Sequence, residues 1–388
     1  MKGKKKYMPS VSYLLKRINN MSLKAMFERV GIVKTKTSKS KFMIFLDMVW
    51  CGIRYGAGYI DYDVIGFYKL NHEQRKTMLT RGINNKFVKE LNKKEYWHIF
   101  ENKNEFNSTF SKFVTRDWIY PVSNNKDKAI DWIKNHKIFF AKPNSGQCGK
   151  GIKKINIDAL EKLFNYDKNI DNLANDENVR DNEFADESNK LEKLYNYLIE
   201  NKLELLEEPI KQHEMMNKLN DSSVNTIRMV TLMNEQKEVT ILTAFSRIGS
   251  GGCVDNFNSG GMTAKIDIES GKIIEKAVNK KGEIFECHPI TGTKINGFQI
   301  PNWSEAIRMV KEAAKLSPNV RYIGWDVAIT NEGVTLVEGN QFPGHDIYQV
   351  AEKMKEGQLG ILPEFEKALE NNYNTGFKKN GIKKKVRI

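Results

Sequence analysis

The stretch from Gly324-Trp325-Asp326 to Glu338-Gly339-Asn340 constrains this chain more than any other. Residues 322–329 and 334–337 are rich in β-branched and apolar side chains, with Asn331-Glu332-Gly333 between them. Three residues ending in Gly form a common hairpin loop, so the pattern predicts two antiparallel strands. Counting back from a Thr330–Val334 pair sets Asp326 opposite Glu338. Residues two apart on a strand share a face, which aligns Glu338 with Asn340. These three side chains offer hard oxygen donors of the kind Mg²⁺ takes. Either the two carboxylates lie on a solvated face, or they flank a cation. Facing carboxylates repel unless a cation sits between them. The apolar runs around them read as sheet core, where unpaired charge is costly, and this favours the metal.

At 388 residues the chain is long enough for two or three domains, or for one large enzyme with an added lobe. Its apolar share of 40% excludes wholesale disorder. Cys51, Cys148, Cys253 and Cys287 are widely spaced and form no CxxC pair. They point to a reducing cytosol and to neither a zinc site nor a disulfide framework. No segment reads as a signal peptide or a membrane span, and residues 42–60 are expected to form a buried core helix.

The net charge of +14 is concentrated in the first forty residues and the tail. Such a field attracts polyanions, including anionic lipid and phosphorylated substrates, but no nucleic-acid-binding motif accompanies it. Residues 11–30 carry apolar side chains at helical spacing with Lys16, Arg17 and Lys24 between them. A basic amphipathic helix of this kind can lie on an anionic membrane or pack on its own domain, and packing is the commoner outcome.

Three regions follow from the texture of the chain. Residues 1–100 read as mostly helical, 101–350 as an α/β mixture, and 351–388 as a helix leading into a basic tail. Strands are expected at 138–141, 225–231 and 239–245. Residues 165–190 are loaded with Asn, Asp and Glu and read as a surface insertion. Helical periodicity resumes over 191–206.

Directly after the strand at 138–141 comes Lys142-Pro143-Asn144-Ser145-Gly146-Gln147-Cys148-Gly149-Lys150-Gly151. Gly146, Gly149 and Gly151 leave backbone N–H groups free to approach a phosphate, with Lys142 adding a point charge. The spacing matches neither a P-loop nor a dinucleotide fingerprint, so a cradle and an ordinary turn both remain open.

The Lys-Gly loop is followed by an acidic stretch from Leu205 to Ile210, by strand arginines, and by the Asp…Glu-x-Asn hairpin. In this order the set resembles the ATP-grasp superfamily, in which two α+β lobes grip ATP. The motifs Ser223-Val224-Asn225-Thr226-Ile227-Arg228, Gln212-His213, Gly324-Trp325-Asp326 and Pro343-Gly344-His345-Asp346 look like the sugar-transfer-associated ATP-grasp family. The resemblance covers about residues 103–349 and implies an α+β fold, an ATP-grasp fold preceded by a mostly helical N-terminal region.

Carried over residue by residue, the resemblance implies ATP and Mg²⁺ as cofactors. Lys103 and Lys142 would contact phosphates, with Ser145, Gly146, Gly149 and Gly151 in the loop over them. Glu207, Glu208 and Ile210 would sit at the adenine hinge, and Glu214, or in its place Gln212 or His213, would meet the ribose. Asp326, Glu338 and Asn340 would hold the metal. Arg228 and Arg247 would face the γ-phosphate and an acyl phosphate, although strand arginines also pair structurally. Asn225 and His345 would line the acceptor side, though a lone His is more often structural.

The implied reaction joins a carboxylate to an amine through an acyl phosphate, on a sugar or surface-polysaccharide precursor. The alternatives are a kinase acting on a sugar hydroxyl and a non-catalytic nucleotide-binding component of a glycan-assembly complex. The partners expected are a small-molecule carboxylate, an amine or sugar-linked acceptor, and peripheral contact with an anionic membrane.

Overall fold

The computed structural model describes residues 22–146, 151–160, 187–251, 260–345, 349 and 359–373. The basic start, the tail, Gly149, Asp346 and most of the expected insertion at 165–190 lie outside the described residues.

Among the described residues five helices come first: α1 (Leu23–Lys34), α2 (Lys41–Tyr55), α3 (Tyr59–Val64), α4 (His72–Lys76) and α5 (Arg81–Leu91). Ser22 caps α1, its hydroxyl accepting from the Ala25 N–H at 3.2 Å. A side-chain cap satisfies amide groups that a continuing helix would use, so the described part of the helix expected across residues 11–30 starts at Leu23, and residues 11–21 lie outside the described residues. Ser40 caps α2 in the same way. Its Ile44, Met48, Cys51 and Tyr55 pack with Met26, Val30 and Val33 of α1. The expected fully buried helix is buried on that face alone, because the neighbouring helices leave its other side open: Phe42 is 69% and Trp50 55% exposed. Asp47, inside this apolar run, is held by Arg75 at 2.7 and 2.8 Å and by the Tyr62 hydroxyl at 2.7 Å.

Two short helices, α6 (His98–Glu101) and α7 (Lys103–Thr109), lead into the α/β part. Its first sheet contains β1 (Trp118–Ile119), β2 (Ile138–Lys142), β3 (Lys153–Asn156) and β4 (Leu205–Glu207), in the antiparallel order β1-β4-β2-β3. Phe139, Ala141, Ile155 and Leu206 turn one face of it onto α8 (Lys126–Asn135) and α9 (Glu187–Glu200). The expected helix over 191–206 therefore ends early. Lys202 takes a positive φ of 55°, and Leu205 and Leu206 continue as β4, where both are fully buried.

The second sheet contains β5 (Ile227–Met233), β6 (Val239–Ile248), β7 (Met262–Ile266), β8 (Ala277–Asn279), β9 (Ile284–Phe285), β10 (Tyr322–Thr330) and β11 (Gly333–Asn340). Its order is β11-β10-β5-β6-β7-β8-β9, antiparallel throughout, with β11 at an edge. The short α10 (Glu214–Leu219) precedes β5, and helix α11 (Trp303–Leu316) presents Ala306, Val310 and Ala313 to one face, where Met229, Ile323, Trp325 and Val327 meet it. On the other face, Val230, Leu232, Phe245 and Tyr322 are covered by α5 and by α12 (Leu362–Tyr373). That cover extends over the Tyr322 end of β10. The Asp326 end of the same face carries charged side chains instead.

Candidate active site

The β10–β11 hairpin brings Asp326 opposite Glu338, as the sequence implies, but by a different route. The loop is Asn331-Glu332 alone, and Gly333 pairs with Thr330. Among the described residues neither loop residue has a positive φ; Gly333, at φ 139°, takes the reversal inside the ladder. That pairing is one residue short of the expected register. A bulge restores it, with Val327 facing Leu336 and Asp326 facing Glu338, so that Val337 is the extra residue.

Arg116 explains why the bulge sits there. Its Nη1 donates to the Leu336 carbonyl at 2.7 Å, and Nη2 reaches the Val337 carbonyl at 3.4 Å. Nη2 also donates to the Glu207 carboxylate at 2.9 Å. One buried guanidinium thus clasps the bulged edge strand of the large sheet to β4 of the small one. Glu207 further accepts from Asn107 at 2.8 Å and from Lys142 Nζ. Burial pushes the Glu207 carboxyl up, but Arg116 and Lys142 outweigh it and hold the group well below the usual carboxylate range. Sequence reading missed both Arg116 and Asn107, since a single Arg between Thr115 and Asp117 has no periodic or motif signal.

Gly339 matters through what it lacks. A Cβ there would lie 2.8 Å from ring carbons of both Phe100 and Phe106. The open backbone lets the aromatic group Phe100, Phe106, Phe110 and Trp325 seat against β11, with Phe110 edge-on to Trp325 at 5.3 Å.

Asp326 is buried between two arginines. Arg228 donates through Nε at 2.5 Å and Nη2 at 2.9 Å, and Arg247 Nη1 donates at 2.6 Å. Burial raises the Asp326 carboxyl, and the two guanidiniums more than reverse that. Glu338 is an exposed residue of β11, yet crowding by neighbouring groups desolvates its carboxyl. That desolvation first, and the Asp326 carboxylate second, raise its pKa. Asn340 accepts the Phe342 N–H at 2.9 Å. Among the described residues no group of three or more His, Cys, Asp or Glu is assembled for a metal. The donor set offered to a cation is two carboxylates and an amide, of which Asp326 and Asn340 already accept hydrogen bonds from the protein.

The positive side of the cleft is built by α7 and β2. Lys103 starts α7, its N–H donating to the Asn144 carbonyl at 3.1 Å and its Nζ to the Gly146 carbonyl at 3.1 Å. The pKa of Lys103 is lowered by burial and then by Lys142, with Glu338 and Glu207 acting against this. Lys103, Lys142, Glu207 and Glu338 therefore share one field. Ser145 is exposed beside Gly146, and Gly151 lies across the same loop against Pro143.

The remaining predicted residues divide into two groups. Residues 208–211 cross between the sheets: the Glu208 N–H donates to the Asp117 carbonyl at 2.9 Å, and Gln212 bridges to Thr330. Ile210 is half-buried on this crossing. By contrast, Gln212 and Asn225 are used within the protein. Gln212 donates to the Asn220 and Ser223 carbonyls at 2.7 and 3.1 Å and accepts from Asn225. Asn225 is fully buried, donates to Met216 and Asn220 carbonyls, and accepts the Gly249 N–H. Glu214 is exposed, and its N–H donates to Asn331 at the hairpin tip. That tip lies at the far end of β10 from Asp326, about 13 Å away at the rise of a strand. His345 Nε2 meets Asp61 Oδ1 at 2.8 Å in a buried pair that docks the N-terminal helices. Its ring is engaged there rather than with Arg228 or Asp326.

Two α+β lobes joined by a short crossing, with a lysine-bearing loop on one and a carboxylate hairpin on the other, define an ATP-grasp architecture. The chain belongs to the sugar-transfer associated ATP-grasp family, whose model matches residues 82–366. No curated protein matches the chain. Among solved structures, the biotin carboxylase domain of the 2-oxoglutarate carboxylase of Hydrogenobacter thermophilus is similar at 14% identity and a TM-score of 0.37. That match covers 71% of this chain and 46% of the other. D-alanine–D-alanine ligase from Bacillus anthracis is similar at 13% identity and a TM-score of 0.36, covering 71% of this chain and 68% of the ligase. An L-amino acid ligase from Bacillus licheniformis matches at 10% identity and a TM-score of 0.37, over 71% and 50% of the two chains. The chain thus spans about half the length of some of these proteins.

Proposed function

We propose that the protein is an ATP- and Mg²⁺-dependent carboxylate–amine ligase acting on a sugar-linked or surface-polysaccharide precursor. One observation carries this reading: Lys103 and Lys142 share one field with Glu207 and Glu338, and Glu338 faces Asp326 across the hairpin. Burial first, and then a like-charged neighbour, disfavour the charged forms of Lys103 and Glu338, although Lys142 is bound to Glu207 and Asp326 to Arg228 and Arg247. A polyphosphate suits the lysine pair and a divalent cation the carboxylate pair. Family membership supplies the ATP-grasp frame.

Within that reading, Lys103 and Lys142 bind phosphate oxygens, while the Gly146–Gly151 loop covers them. Residues 207–210 hold the base at the crossing between lobes. Asp326, Glu338 and Asn340 are the side chains that would hold Mg²⁺, which when bound offsets repulsion between the phosphates and an incoming carboxylate. Arg228 and Arg247, always charged and planar and both engaged by Asp326, would neutralise oxygens at the transferred phosphoryl group. The substrate carboxylate oxygen attacks the γ-phosphorus with release of ADP. An amine nitrogen then attacks the acyl carbon, phosphate leaves, and the nitrogen loses a proton. The protein contributes position and charge more than covalent chemistry.

Asn225 and His345 enter as positioning residues, the one shaping the loop before β5 and the other anchoring the segment after β11. We place the activity in the cytosol on cysteine usage, with the basic ends favouring peripheral contact with an anionic membrane.

The test is trapping. Hydroxylamine added with ATP, Mg²⁺ and a library of carboxylates should yield a hydroxamate, because an acyl phosphate is electrophilic and a sugar phosphate is not. Formation of a stable phosphorylated sugar, with no hydroxamate from any carboxylate, would overturn the ligase reading in favour of a kinase.

A further inference from the structure

The outer face of α1 and α2 is apolar and uncovered among the described residues. Phe42, Leu46, Val49, Trp50 and Ile53 recur at the spacing of a single helical stripe, opposite the buried Ile44, Met48 and Cys51. Phe27 of α1 extends the stripe, 59% exposed, with its ring stacked on Phe45 at 5.2 Å. Aromatic side chains bury on the order of 200 Å² each, so the group reaches the size at which an apolar patch marks a contact site.

Charge identifies what the face fits. Residues 1–55 hold thirteen lysines and arginines against two acids, Glu28 and Asp47, so most of the +14 net charge lies here. Asp47 is already bound by Arg75. Six basic residues and no acidic one precede Ser22 in the sequence. A second copy would bring two such positive surfaces together, and a nucleic acid would leave the Phe and Trp stripe without a partner. Apolar side chains ringed by cations suit a bilayer bearing anionic headgroups.

We propose that the α1–α2 face docks on an anionic phospholipid surface, with Phe42, Leu46 and Trp50 entering the headgroup boundary. The membrane is touched and not crossed: no helix among the described residues is long and apolar enough to span one. This deepens the peripheral location proposed above and does not depend on the reaction catalysed.

The experiment is flotation of the full chain with phosphatidylglycerol–phosphatidylcholine vesicles and with phosphatidylcholine alone. Binding is expected on the anionic vesicles, with Trp50 fluorescence shifting to the blue. The pair Phe42→Ser and Trp50→Ser should lower the partition coefficient at least about tenfold, the scale of removing inserted apolar surface. Melting temperature should be unchanged, since both side chains are exposed. The pair Lys24→Gln and Lys41→Gln should weaken binding to the anionic vesicles and reduce its salt dependence. Binding that is salt-sensitive but indifferent to the apolar variants would assign the contact to the basic ends alone and overturn the face. Three other results also overturn it: no binding with Trp50 shielded from iodide, which means the chain's own start covers the stripe; a dimer that Trp50→Ser dissociates; and equal binding to neutral vesicles.

Discussion

Arg116 donates to the Leu336 carbonyl at 2.7 Å, and so a residue outside every recognisable motif holds the strand on which Glu338 is aligned. The same guanidinium holds Glu207, which makes it the mechanical link between the two sheets. Arg116→Lys keeps the charge but cannot serve both partners at once. It should cost on the order of 2 kcal/mol, the scale for hydrogen bonds to charged groups, and should lower kcat more than it raises KM for ATP. Unchanged kcat with a lowered melting temperature would reduce Arg116 to a purely structural role.

Glu338→Gln separates charge from shape. Removing a carboxylate from beside Asp326 relieves repulsion, so thermal stability should hold or rise. Turnover should fall at least ~10²-fold, as for loss of one preorganised electrostatic partner. Full turnover in this variant would refute the metal assignment.

Lys142→Ala leaves Glu207 still bound by Arg116 and Asn107, so the protein should fold. The stabilisation that ATP and Mg²⁺ give the native state by mass action should largely disappear. A thermal shift with ATP equal to that of the parent would contradict the phosphate role. GTP outperforming ATP in the parent would contradict the hinge at 207–210.

Gly339→Ala should destabilise by about 1–3 kcal/mol, because the new methyl meets two aromatic rings at once. Phe100→Leu should recover part of the loss only when combined with Gly339→Ala. Simple additivity of the two in urea melts would show that the ring contact is not the cause.

Acid sensitivity follows from Glu207, Asp61 and Asp47. In each, burial acts upward and is outweighed by partners: Arg116 and Lys142, then His345, then Arg75 and Tyr62. A carboxyl whose pKa is lower in the folded than in the unfolded chain adds stability above the unfolded value, and that stability drains as pH falls through the folded one. These three carboxyls should make stability drop steadily below about pH 4, while Glu338, its pKa raised to about 7, acts oppositely and removes stability as pH climbs toward that value. Glu207→Gln should be less stable at neutral pH yet show a shallower acid slope. An identical slope would move the acid dependence to the other carboxylates.

The facing of Asp326 and Glu338 was readable in the sequence because a hairpin is local and its side chains alternate strictly. Even so, the alignment comes from a shorter loop and a bulge that compensate each other, and the bulge depends on Arg116, 220 residues away. Pairings at that range leave no periodic trace. The same reason hid Asp61 behind His345, 284 residues apart, and made a structural histidine look like an acceptor-site candidate. Helix α2 misled differently. Its apolar content announces burial, but hydropathy does not say that packing covers only one side.

The cover over the Tyr322 end of the large sheet is drawn from both ends of the α/β part. Phe87 of α5 stacks on Phe365 of α12 at 6.1 Å, Phe365 meets Tyr322 edge-on at 5.9 Å, and Gln349 bonds to both the N–H and the carbonyl of Leu79. During synthesis at 5–20 residues per second, Phe87 thus waits on the order of tens of seconds for its partner to emerge. The backing of the Asp326 face is completed only once Phe365 has been made, so a nascent chain carries Lys103, Lys142, Arg228 and Arg247 well before it has the scaffold that positions them.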